Sequence, residues 1–170
     1  MYAINGAAIA GAGRIIAVDI HESKLEFARE FGATDGVNAS TVDPVEAILE
    51  MTSGGVDYSF EALGRKQTCE QAFDMLRPTD KACIIGMVPE GQKIEIDAAV
   101  LLYDRRLVGS NMGSNAFRVD MPRFVDFYLN GKLNLDAMIS KRAPLEMVNE
   151  AFAEMLTGTV ARNVITFDAA

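Results

Sequence analysis

Arg14-Ile15-Ile16-Ala17-Val18-Asp19 is the stretch from which the rest of this chain can be read. A short apolar run bounded by helical patterns marks a strand buried on both faces, the habit of a parallel sheet covered by helices. The run closes on a carboxylate. An acid just past a buried strand can accept hydrogen bonds from a diol, and Lys24 in the next helix would add a donor. On these residues alone a second reading stands beside it, in which Asp19 caps the helix that begins near Glu22 and Lys24 is solvated.

Outward from that strand, helix and strand patterns alternate with short connections. Tyr2 to Gly11 is small and apolar and ends in Gly11 and Gly13, which predicts a helix packed closely on a sheet and stopped by glycine. Glu22 to Phe31 places Leu25, Ala28 and Phe31 on one face, with Gly32 as the stop. Asp35–Asn38 is a strand candidate, and Asp43-Pro44 caps a helix striped by Val45, Ile48 and Leu49. Val56–Phe60 alternates as a strand. Cys69, Ala72, Phe73 and Leu76 recur at helical spacing, with Pro78 closing the helix, and Ala82–Ile85 is an apolar strand ending at Gly86. A short helix around Ala98–Leu102 and a strand at Arg106–Gly109 follow. Asp120 and Pro122 open a helix carrying Phe124, Val125, Tyr128 and Leu129. Leu145, Val148, Ala151, Phe152 and Met155 stripe a last helix that stops at Gly158, and Val164–Phe167 reads as a final strand. Repeated β-α units imply a parallel sheet with helices on both faces.

Composition narrows the partners. At 170 residues the chain reads as one domain, and 49% apolar residues make it globular. A net charge of −8, with no basic cluster to offset it, argues against nucleic acid. The apolar start from Ala7 to Ala12 is too short to span a bilayer. Cys69 and Cys83 do not make a disulfide framework, so the expectation is a soluble, cytoplasmic protein without a membrane partner. Both cysteines fall on core patterns. His21, the only histidine, sits in a polar turn with no second ligand at metal spacing, and no Ser-His or Cys-His pair is credible.

Three turns after successive strands carry small residues: Phe60-Glu61-Ala62-Leu63-Gly64, Ile84-Ile85-Gly86-Met87 and Val108-Gly109-Ser110-Asn111-Met112-Gly113. They fall at the carboxyl ends of strands, the edge where open α/β sheets bind ligands, and glycine there lets backbone approach a flat molecule. Ordinary turn chemistry also favours glycine. A dinucleotide-binding fold would place a first strand and a G-x-G-x-x-G turn roughly 20 residues before a ribose-binding acid. Met1 lies too close to Asp19 for that, so the expectation is a domain truncated ahead of its phosphate loop.

With these motifs in family order, the chain resembles the zinc-type medium-chain alcohol dehydrogenases, among whose branches are the glutathione-dependent formaldehyde dehydrogenases. The resemblance runs from Ala10-Gly11-Ala12-Gly13 through Asp19, Lys24 and Phe31-Gly32-Ala33-Thr34-Asp35 to Gly54-Gly55-Val56-Asp57-Tyr58. It continues through the strand-end turns above to Ala161-Arg162-Asn163-Val164-Ile165-Thr166-Phe167. It implies a Rossmann-like, doubly wound, mostly parallel α/β sheet lacking its first strand and glycine loop. Residues 1–170 would form the NAD-binding segment, without the zinc-bearing catalytic domain. By that resemblance Asp19 would bind the adenosine ribose, Lys24 its oxygens, and Ala62 and Leu63 would line it. Ile85, Gly86 and Met87 would flank the nicotinamide, backbone at Ser110, Asn111 and Met112 would bond the carboxamide, and Arg162 would contact the pyrophosphate. Asp19 would favour NAD over NADP, because a carboxylate there repels a 2′-phosphate.

The implied reaction is hydride transfer between an alcohol and NAD, with a homodimer formed through the edge near Arg106–Gly109. The chain alone would be inactive and bind no zinc. A non-catalytic nucleotide-binding or dimerisation module is the alternative. A methyltransferase using a strand-end acid on a ribose fits less well, given the match from Gly109 to Arg162. In the doubly wound strand order the missing strand would lie between Arg14–Val18 and Val56–Phe60. Those two would then pair directly or take a strand from a partner.

Overall fold

The computed structural model describes residues 1–158 and 160–167. Helix α1 (Tyr2–Ile9) ends ahead of Gly11, whose φ of +84° a side chain would resist. Strand β1 (Ile16–Asp19) pairs in parallel with β2 (Asp35–Asn38), and α2 (Glu22–Arg29) crosses between them, burying Leu25 and Ala28. Asp43 starts α3 (Pro44–Met51) by accepting from the Val45 and Glu46 N–H groups, with proline in the first turn where its missing N–H costs nothing. Strands β3 (Val56–Glu61), β4 (Leu76–Ile84) and β5 (Arg106–Gly109) make a second parallel sheet in that order. Helix α4 (Lys66–Asp74) joins its first two strands. The chain continues through α5 (Phe117–Leu129), β6 (Lys141–Pro144) and α6 (Val148–Leu156) to β7 (Asn163–Thr166), which pairs in parallel with β6. No helix of the described residues is long and apolar enough to cross a membrane.

This is a Rossmann-like α/β fold. In the doubly wound order 3-2-1-4-5-6, β2-β1 stand at positions 3-2 and β3-β4-β5 at 4-5-6. Direct pairing of β1 with β3, one of the two expected outcomes, does not occur, and the two strands belong to separate sheets. A common core still joins those sheets. Ile16 of β1 and Val56 of β3 pack against one buried cluster of Val37, Ile48 and Met75. A second cluster, Phe73, Leu76 and Ala82, lies beneath β4, and a third, Ala17, Leu25, Ala28 and Ala33, beneath α2.

Several elements depart from the sequence reading. Strand β1 starts two residues later than Arg14, because Arg14 is used as a clamp. Its guanidinium reaches Asp35 at 2.8 and 2.9 Å and the Met51 carbonyl. Pro78 lies inside β4 instead of closing α4. The register there jumps from Val56 opposite Leu76 to Tyr58 opposite Lys81, and Thr79 has φ +74°. The proline falls in that bulge, where no ladder bond needs its missing N–H. Helix α5 begins at Phe117, ahead of Asp120, whose carboxylate reaches back to the Ala116 N–H at 2.7 Å, and Pro122 rides within it. Strand β6, Lys141-Arg142-Ala143-Pro144, carries no apolar pattern and forms as the partner of β7.

Candidate functional site

The chain's chemistry gathers at the carboxyl ends of β1, β3, β4 and β5. Asp19 is the last residue of β1 and half-buried. Its Oδ1 accepts the His21 N–H at 3.0 Å, so it does cap the following turn. The start of α1 faces the same place. Burial lowers the proton affinity of the Met1 amine, Asp19 partly restores it, and Lys24 lowers it further. Lys24 Nζ and His21 Nε2 both lie within about 4 Å of where a side chain on Gly158 would begin. The Arg162 guanidinium sits 5.3 Å over the Tyr2 ring in the first turn of α1. Asp19, Lys24 and Arg162 are therefore brought together around one helix N-terminus, an arrangement that favours anions.

The other strand ends form an open ledge. Leu63 is 63% exposed, Met87 94% and Met112 81%, with Ala62 and Ile85 also exposed. Gly86 sits between them against the turn after β3, where a Cβ would come within 2.2 Å of the Gly64 nitrogen. Beyond β5 the backbone is held in the left-handed region at Met112 (φ 49°), Gly113 (φ 74°) and Ser114 (φ 48°). Non-glycine residues rarely adopt such angles, and where they persist they cluster at ligand sites. The loop is fixed from within. The Ser110 N–H donates to the Ile84 carbonyl, the Ser114 N–H to the Asn111 carbonyl, and Asn115 Nδ2 to the Met112 carbonyl. Among the described residues the Met112 N–H and the Ile85 and Ser110 carbonyls carry no internal backbone bond. One donor and two acceptors lie there, the complement of a carboxamide.

Two concave spaces are lined by other residues, a groove of about 600 Å³ against Val37, Thr41, Val42 and Met51, and one of about 470 Å³ against Tyr128, Asn134 and Asp136, where the Tyr128 hydroxyl donates to Asp136 at 2.9 Å. Among the described residues no three His, Cys, Asp or Glu side chains come together as a metal site. Cys69 is buried, and burial pushes its thiol up. His21 is exposed on a turn. The residues present do not fit a catalytic zinc. One residue without a role in the sequence reading stands out here. Glu61, at the end of β3, is 3% exposed and bonded to both neighbouring turns. Its signal was an acid closing an otherwise half-apolar strand just before a small-residue turn.

Comparison with known proteins agrees with this fold. The sequence family described as "Zinc-binding dehydrogenase" matches residues 1–130. Over 165 residues the chain is 36% identical to the probable S-(hydroxymethyl)glutathione dehydrogenase 1 of Schizosaccharomyces pombe, covering 96% of this chain and 44% of that protein. The crystal structure of an alcohol dehydrogenase zinc-binding domain protein from Burkholderia ambifaria superposes with a TM-score of 0.93 at 34% identity, covering 98% of this chain and 45% of that one. A putative zinc-binding dehydrogenase from Sinorhizobium meliloti, solved bound to NADP, gives 0.79 at 28% identity, covering 95% and 46%. The chain thus spans a little under half the length of the relatives it matches. With the family match covering most of its residues, the chain belongs to the zinc-type medium-chain alcohol dehydrogenases.

Proposed function

We propose that this chain is the cofactor platform of an NAD-dependent alcohol dehydrogenase and that it binds the dinucleotide along the strand-end ledge. Two observations support the reading: Asp19, Lys24 and Arg162 lie around the start of α1, and beyond β5 a left-handed loop leaves a backbone donor and two acceptors without internal backbone bonds. Asp19 takes the ribose hydroxyls and disfavours a 2′-phosphate, so NAD is the expected cofactor. Lys24 donates to the ribose oxygens, and Arg162 neutralises the pyrophosphate. Leu63 lies under the adenosine half and Met87 beside the nicotinamide, with the Met112 N–H and the Ile85 and Ser110 carbonyls orienting the carboxamide. When bound, the dinucleotide would supply hydride acceptance from an alcohol carbon. This chain's residues bind and orient it and provide no metal.

The cytoplasm is the compartment consistent with two free thiols. A homodimer is the expected assembly, formed at the open edge of β5. The test is fluorescence titration of the 170-residue chain with NADH and NADPH, with ADP-ribose as competitor. Saturable NADH binding displaced by ADP-ribose and weaker NADPH binding are expected. Absence of any saturable signal would remove the proposal.

A further inference from the structure

Glu61 is the most heavily engaged side chain near the ledge, and nothing above gives it a task. Its Oε1 accepts three hydrogen bonds, from the Leu63 N–H at 2.8 Å, the Gly64 N–H at 2.7 Å and the Thr68 hydroxyl at 2.7 Å. Its backbone carbonyl accepts two more, from the Ile85 N–H at 2.8 Å and the Gly86 N–H at 3.0 Å. One residue therefore holds the turn after β3, the first turn of α4 and the turn after β4. The two turns also interlock. A Cβ on Gly86 would fall 2.2 Å from the Gly64 nitrogen and 2.5 Å from Glu61 Oε2, and a Cβ on Gly64 would fall 2.5 Å from the Met87 carbonyl.

Stability alone accounts poorly for a carboxylate here. Oε2 is buried with no hydrogen-bond partner, and an unpaired buried carboxylate oxygen is costly. Bonds to a charged acceptor are shorter and about twice as strong as neutral ones, so the charge returns rigidity at Oε1. That rigidity falls on the turn after β3 and, through the Glu61 backbone carbonyl that the anchored residue presents to the Ile85 and Gly86 N–H groups, reaches the turn after β4.

We propose that Glu61 is a positioning residue that fixes the separation between the Ala62–Leu63 and Ile85–Met87 turns, and so holds the adenosine and nicotinamide halves of the cofactor in register. The inference rests on the dinucleotide reading above. Glu61 acts through the turns and does not touch the ligand.

Two measurements on the 170-residue chain test it, with Glu61→Gln, Glu61→Asp and Thr68→Val as variants. The first is amide hydrogen exchange without ligand, which needs no assumption about the cofactor. In Glu61→Gln the amides of Leu63, Gly64, Ile85 and Gly86 should lose protection together, and Glu61→Asp should restore part of it. Exchange that rises only at Leu63 and Gly64 would overturn the proposal, because the clasp would then not couple the turns. The second is affinity. Glu61→Gln should weaken NADH about tenfold, the equivalent of ~1.4 kcal/mol, while ADP-ribose, which does not span both turns, changes less than about twofold. Equal weakening of both ligands would show a merely structural role and overturn it. Failure of the unmutated chain to bind NADH would instead overturn the dinucleotide reading, with exchange still deciding the clasp. Should Glu61→Gln not fold, Thr68→Val removes one donor only and should shift both readouts the same way by a smaller factor.

Discussion

Asp19 caps the turn at His21 with Oδ1 and is half-buried, and in the proposed reading the same carboxylate takes the ribose hydroxyls. Asp19→Ala should therefore cost NADH affinity about tenfold, the worth of a charge-assisted hydrogen-bond pair, and leave NADPH nearly unchanged. Paired titrations with the two cofactors check it, and equal affinity for both in the unmutated chain would refute the role. Asp35 tests a different point. The Arg14 guanidinium, then the Thr34 hydroxyl, hold its carboxyl far below the usual carboxylate range. A carboxyl lowered in the folded state stabilises above its unfolded value and loses that contribution as pH falls toward its folded value. The pair is partly exposed and screened by water, so Asp35→Asn should lower Tm by only ~2–4 °C at pH 7. That gap should hold down to about pH 5 and narrow below about pH 4, where the unfolded carboxyl takes its proton. A gap that widens on acidification would contradict the assignment. Asp19 was legible as a candidate because a strand-end acid has a sequence position to mark it. Glu61 was not, since its importance lies in bonds to turns adjacent only in space.

Strands and helices were legible in proportion to how locally they are determined. Asp43-Pro44 and the Asp35–Asn38 run came out as read, because a cap and a short strand between turn residues depend on near neighbours. Pro78 misled because a proline that reads as a helix stop is equally at home in a bulge, and the bulge depends on pairing with β3. The stripe on α6 misled differently. Its period is right, but only Ala151 is buried, and Phe152 and Met155 are more than half exposed. Periodicity reports a face and not what covers it. The same holds at β5, an edge strand with Val108 at 39% exposure, and on α5, which exposes Phe117, Val119 and Leu129. An unpaired edge and an exposed apolar helix surface each invite a second copy. Light scattering should find the unmutated chain dimeric, and Val108→Lys should shift it toward monomer by placing a charge on that edge. A well-behaved monomer at high concentration before mutation would remove the expectation.

As a whole, the described residues fit the proposed cofactor platform and gather no cluster of metal ligands. A catalytic zinc needs three protein ligands and an open position. Here the cysteines are a core residue and a strand residue, the single histidine is exposed on a turn, and no triad of ligands gathers among the described residues. Hydride transfer also needs the nicotinamide fixed against a polarised oxygen within near-attack distance. In the proposed reading the ledge supplies one side of that arrangement, and it is open to solvent at Leu63, Met87 and Met112. Purified as these 170 residues, the chain should hold well under one zinc per molecule after dialysis and oxidise no alcohol above a buffer-plus-zinc control. Elemental analysis and an NADH-absorbance assay across primary, secondary and aromatic alcohols check both halves. Mixing with a separately made zinc-bearing partner domain is the informative extension, since a platform that binds and orients the dinucleotide should then contribute to turnover. One zinc per chain, or turnover by the chain alone, would mean that side chains distant in this structure come together on binding, and the platform reading would give way to that of a complete enzyme.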